Sequence, residues 1–80
     1  MQPYKNLSGQ SGVKAYEYGT NYIVVQFKTQ NISDGCDTYE YTYRSAGAMC
    51  VNDMKHCADL GAGLNSYINL HVQKLYANKW

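Results

Sequence analysis

The sequence is short of charge, and shorter still of arginine. Charged side chains make up 16% of the 80 residues, and the net charge is +1. Arg44 is the single arginine; the other cations are lysines. Sequence-independent binding along a nucleic acid draws on many phosphate contacts and shows as a basic face. This composition argues against such binding and favours a ligand with few phosphates. Proline occurs once, at Pro3, and phenylalanine and tryptophan once each. No apolar run approaches the roughly 18 residues that a membrane span needs, so no membrane partner is expected. Residues 1–8 are polar, with no apolar stretch of the kind a secretory signal carries. Cys36, Cys50 and Cys57 are an odd number in no disulfide-framework spacing. A reducing, cytoplasmic setting is therefore expected.

What is abundant is tyrosine, with nine. A buried tyrosine needs a partner for its hydroxyl. A chain this short makes one domain, whose core is thin. Such a core is not expected to supply nine partners, so several rings should reach the surface and serve recognition there. The stretch YEYTYR, residues 39–44, concentrates them. Strand side chains alternate, so Tyr39, Tyr41 and Tyr43 would share one face, with Glu40, Thr42 and Arg44 on the other. The simplest expectation is that the tyrosine face is core. The alternative is a surface on which something flat stacks.

The pattern along the chain predicts an α+β domain: a three-stranded antiparallel sheet followed by two helices packed on one face, in the order β-β-β-α-α. Residues 1–10 read as a flexible polar lead-in, and 11–80 as the single folded domain. Strands are predicted over 13–18, 22–28 and 38–44, the second being rich in β-branched and aromatic residues. Gly19-Thr20-Asn21 is turn chemistry, which makes the first two strands a hairpin. Residues 30–37 read as a polar loop. A first helix is predicted from between Ser45 and Asn52 to about Leu60, with Val51, Met54 and Ala58 inward. Gly61-Ala62-Gly63 stops it. A second helix is predicted over 64–77, with Leu64, Ile68, Val72, Leu75 and Tyr76 as its apolar stripe.

The order of elements, the Tyr39-Glu40-Tyr41 centre and the helical tail resemble the KTSC family. This is a short module that stands alone in bacteria and phages and also ends some lysyl-tRNA synthetases. The resemblance covers roughly residues 11–76. Residues 22–27 correspond to the family's second strand and Tyr39-Glu40-Tyr41 to its Y-x-Y centre. Residues 63–68 fall where the family has a small-residue turn followed by an aromatic residue and Asn. The chain departs from the pattern in a longer polar loop before Thr38 and a longer first helix. RNA binding has been suggested for the family, so the resemblance implies a nucleotide-type ligand.

Two groups of candidate ligand-binding residues follow from the residues themselves. With Val13 and Ala15 inward, Lys14, Tyr16 and Tyr18 would face outward, near Tyr22, Gln26 and Arg44 on the open sheet face. Tyr16, Tyr18 and Tyr43 are the candidates for stacking, and Lys14 and Arg44 for meeting charge. The second group is Gly63, Asn65 and Ser66, where small residues before a helix would uncover backbone donors for an anion. The plainer reading there is a turn between helices. No Cys or His pair has zinc-site spacing, so neither a metal nor a cofactor is expected. His56 and Cys57 are adjacent on a helix and do not face each other, and Asp53, one turn from Cys57, would raise its thiol pKa. No catalysis is expected. The leading expectation is a non-enzymatic binding module for a small phosphate-bearing ligand: a nucleotide, cyclic nucleotide or short oligonucleotide. In a phage it would sequester a nucleotide signal. The alternatives are a protein-interaction module whose tyrosine face binds a partner or a second copy as a homodimer or higher homo-oligomer, and an RNA-binding module.

Overall fold

A computed structural model describes residues 1–9, 11–28 and 35–80. Two layers face each other, an antiparallel sheet and a set of helices. Among the described residues the sheet has five strands in the order β1-β2-β3-β4-β5. These are β1 (Gln2–Pro3), β2 (Val13–Tyr18), β3 (Tyr22–Phe27), β4 (Thr38–Thr42) and β5 (Asn78–Lys79). The three strands expected from the pattern are β2, β3 and β4, and two short edge strands extend them to five. Each edge strand is two residues long and polar, too short to show a period. The loop expected over 30–37 falls mostly on residues 29–34, outside the described residues.

Residues 1–9 are not a separate lead-in. Gln2 pairs with Tyr16 and Pro3 with Ala15. Tyr4 is buried in the core, and its hydroxyl oxygen accepts from the Leu64 N–H at 3.3 Å. The Leu7 N–H donates to the Gly61 carbonyl at 2.8 Å, which fastens the segment to the turn between helices.

The strand expected to run to Arg44 ends at Thr42 for a local reason. The Thr42 side chain accepts from the Ser45 N–H, and the Ser45 hydroxyl accepts from the Thr42 N–H, each at 3.0 Å. This reciprocal cap starts a one-turn helix, α1 (Tyr43–Ala46). It is followed by α2 (Ala48–Leu60), which closes on Gly61 in the left-handed region at φ 82°. Next come α3 (Leu64–Tyr67) and a wider π turn over Ile68–Val72. The second helix expected over 64–77 thus stops at Val72, and the chain turns back to form β5.

The core lies between the layers. Val13, Tyr16, Ile23, Val25 and Tyr41 of the sheet meet Val51, Met54, Ala58, Leu64, Ile68 and Val72 of the helices. Tyr41 is 1% exposed, and Tyr39 packs edge-to-face on Phe27 and Tyr76. The tyrosine stripe is therefore core at Tyr41 and half-buried against the core at Tyr39, and Tyr43 has left the strand. Among the described residues no helix is long and apolar enough to cross a membrane.

Candidate functional site

A bulge decides which way the tyrosines of β2 point. Val13 pairs with Phe27 and Ala15 with Gln26, so two steps along β2 match one step along β3. Beyond this point Tyr16 pairs with Val25 and Tyr18 with Ile23, both inward residues of β3. Directly opposed residues share a face. Tyr16 and Tyr18 therefore lie on the helix-covered side, not on the open face where simple alternation puts them. The open face carries Glu17 and Glu40 instead, paired on either side of Val24.

On the helix side the two rings meet α2. The Tyr16 hydroxyl donates to Asp59 Oδ1 at 2.9 Å and the Tyr18 hydroxyl to Asp59 Oδ2 at 2.6 Å. The rings run side by side, 6.2 Å between centroids and 19° between planes. Lys55, one helical turn before Asp59, puts its Nζ 5.3 Å from the Tyr18 centroid and 5.5 Å from that of Tyr43. Both distances are within cation–π range. The same Nζ donates to the Thr20 carbonyl in the hairpin turn at 2.9 Å. The Tyr43 hydroxyl donates to Asn52 Oδ1 at 3.0 Å, one turn further up α2. Tyr18 is 41% exposed, Tyr43 and Lys55 are half-buried, and Asp59 is exposed. A hollow of about 520 Å³ opens beside Tyr16 and Tyr18 and is also lined by Met1, Gln2, Pro3 and Glu17.

These contacts answer where the tyrosine hydroxyls find partners. Tyr16, Tyr18, Tyr43 and Tyr67 all donate to α2, at Asp59, Asn52 and Asp53. The titration of Tyr16, Tyr18 and Tyr67 shifts upward. Burial first, then the Asp59 hydrogen bond, pushes Tyr16 up to about 12. The Asp59 hydrogen bond is the main cause of the rise at Tyr18. Burial, with Cys50 and Asp53 beside it, raises Tyr67. The Cys57 thiol is also raised, by burial first and by Asp53 second.

The structure thus divides the expected site residues. Tyr16, Tyr18 and Tyr43 converge at the hairpin end of the sheet, and exposed Arg44 follows Tyr43 on α1. Lys14 is exposed at the bulge, at the far end of β2. Gly63, Asn65 and Ser66 line a separate polar cleft of about 240 Å³ with Ser8 and Ser11. Ser11 lies at the Val13 end, where its hydroxyl accepts from the Val13 N–H at 3.1 Å. Val13 and Tyr18 are roughly 17 Å apart along an extended strand, so the two groups are separate places. The Leu64 N–H, one of the donors expected to be open there, is already bonded to Tyr4. Sequence reasoning missed Lys55, Asp59 and Asn52. The available signal was the i, i+4 spacing of Lys55 and Asp59, which puts a cation and a carboxylate on one side of α2. No family model matches the chain, and no curated protein or solved structure matches it either.

Proposed function

We propose that the hairpin end of the sheet binds a small phosphate-bearing ligand, a nucleotide or short oligonucleotide, without chemistry on it. The observation that carries this reading is the position of Lys55. Its ammonium is held over two rings from different elements, Tyr18 of β2 and Tyr43 of α1. An ammonium has three donors. One goes to Thr20, which leaves two for a phosphate. Arg44 adds a second cation on the turn of helix that carries Tyr43. The hollow beside Tyr16 and Tyr18 has room for a base, and the exposed part of the Tyr18 ring supplies aromatic surface. Neighbouring rings 6.2 Å apart leave no slot for a base between them, so the ligand meets the rim of the cluster. The resemblance to KTSC modules points the same way. In a phage setting, such a module would act by holding a nucleotide signal out of circulation.

The test is titration calorimetry with nucleoside monophosphates against the native chain, Lys55→Ala and Arg44→Ala. Loss of a phosphate contact should weaken binding by about tenfold, roughly 1.4 kcal/mol, in each variant. Far-UV circular dichroism should stay unchanged. Full affinity in Lys55→Ala would remove this site from consideration. The protein-interaction reading has its own supporting observation, since the rim formed by exposed Tyr18 and half-buried Tyr43 suits a partner chain as well. Native mass spectrometry of the purified chain separates the two. A bound nucleotide mass supports the first, and an empty dimer the second.

A further inference from the structure

Asp59 has both carboxylate oxygens engaged by tyrosine hydroxyls, yet it is exposed. A carboxylate offers about four acceptor positions and no donor. Two are filled, which leaves one on each oxygen. Tyr18 links this carboxylate to Lys55: its ring lies under Nζ and its hydroxyl rests on Asp59. The cluster therefore has a cationic end and an acceptor-only end, about 6 Å apart along α2. In the proposed site, a nucleotide whose phosphate lies at Lys55 would reach Asp59 with the edge of its base.

The bases differ in how they suit an acceptor-only edge. Guanine presents two adjacent donors, the ring N1–H and the exocyclic N2 amine, at the spacing of two carboxylate oxygens. Adenine and cytosine place a ring-nitrogen acceptor beside their amino group, and its lone pair would oppose the carboxylate. Uracil has one N–H between two carbonyl oxygens. A site built to pair a polar edge rejects an analogue that leaves it unpaired.

We infer that Asp59 is a specificity-determining residue that selects guanine through N1–H and the N2 amine. Guanine selection rests on the nucleotide binding proposed above. GMP, IMP and AMP titrated against the full chain test it, because IMP differs from GMP only in lacking the N2 amine. GMP should bind at least about tenfold more tightly than IMP or AMP, and Asp59→Asn should erase the gap between GMP and IMP. Asparagine keeps one oxygen for a tyrosine hydroxyl, and the comparison on the native chain decides the matter even where the variant fails to fold. Equal binding of all three, or tighter binding of AMP, overturns guanine selection and leaves nucleotide binding standing. A GMP–IMP gap that persists in Asp59→Asn overturns the role of Asp59. Binding of none of the three overturns both.

Discussion

Two tyrosine hydroxyls sharing one carboxylate give Asp59 more hydrogen bonds than Lys55 or Asn52 beside it. The pH dependence of stability should show it. Tyr16 has a folded-state pKa raised to about 12, against an ordinary value near 10. Below pH 9 the hydroxyl is protonated in both states, and its contribution to stability is fully present. Between pH 10 and 12 the unfolded chain releases the proton first, so that contribution is lost as pH rises. Denaturant melts of native chain and Tyr16→Phe across pH 8 to 12 check this. The variant should be weaker at pH 8 by about 1 kcal/mol, the worth of a hydrogen bond, and should decline less steeply above pH 10. Parallel slopes would mean that burial and the Asp59 hydrogen bond do not hold the Tyr16 proton in the folded chain. At this scale the sequence was partly legible. Tyr16, Tyr18 and Tyr43 stood out by residue type alone. Asp59 and Lys55 did not, because a charged pair on a helix ordinarily reads as a solvated face, and only the fold brings the rings against it.

Elements show why the sheet was readable in its centre and misleading at its edge. In Tyr22–Phe27 the inward Ile23 and Val25 are fully buried, as the period predicts, although Val24 on the other face is buried as well. The bulge at residues 13–15 breaks the same rule in β2, and one extra residue moves Tyr16 and Tyr18 to the other face. No local residue pattern announces a bulge, so the open-face site expected from the sequence could not survive it. The Thr42–Ser45 cap was legible in principle, but the tyrosine alternation across it suggested a continuing strand. Punctuation by glycine was clearer, and it yields a prediction. Gly61 holds φ 82°, and a Cβ there would come within 2.5 Å of Lys5 Cβ. Gly9 holds φ 75° with nothing within 4 Å. Gly9→Ala should cost only its backbone conformation, about 1 kcal/mol. Gly61→Ala should cost about 2 to 4 kcal/mol, because residues 4–7 must also move away from the turn. Urea melts of the two variants measure the difference. Equal losses would show that the N-terminal segment yields without penalty.

The whole molecule sets the scale of any binding. An 80-residue chain has one thin core and a net charge of +1. Fold class was therefore legible from period and composition, while the number of strands was not, because β1 and β5 exist only through pairing with longer neighbours. The same charge balance bears on the ligand. In the proposed site, Lys55 and Arg44 would each meet one phosphate oxygen. Long nucleic acid held by many such contacts loses affinity steeply with salt, by a slope near 0.9 per phosphate neutralised on a log–log plot. A compact nucleotide has no condensed counterions to release, so its dependence should come from screening of two charge pairs, one at exposed Arg44 and one at half-buried Lys55. The expected slope of log affinity against log salt is shallow, between about −0.5 and −2, and flatter still in Lys55→Ala. Titrations with GMP between low and moderate sodium chloride concentrations measure it. A slope of about −4 or steeper with any polynucleotide would assign the chain to extended RNA or DNA. Salt-independent binding to a protein partner would instead make the rim of Tyr18 and Tyr43 an aromatic interface, with Lys55 serving only to hold the rings in place.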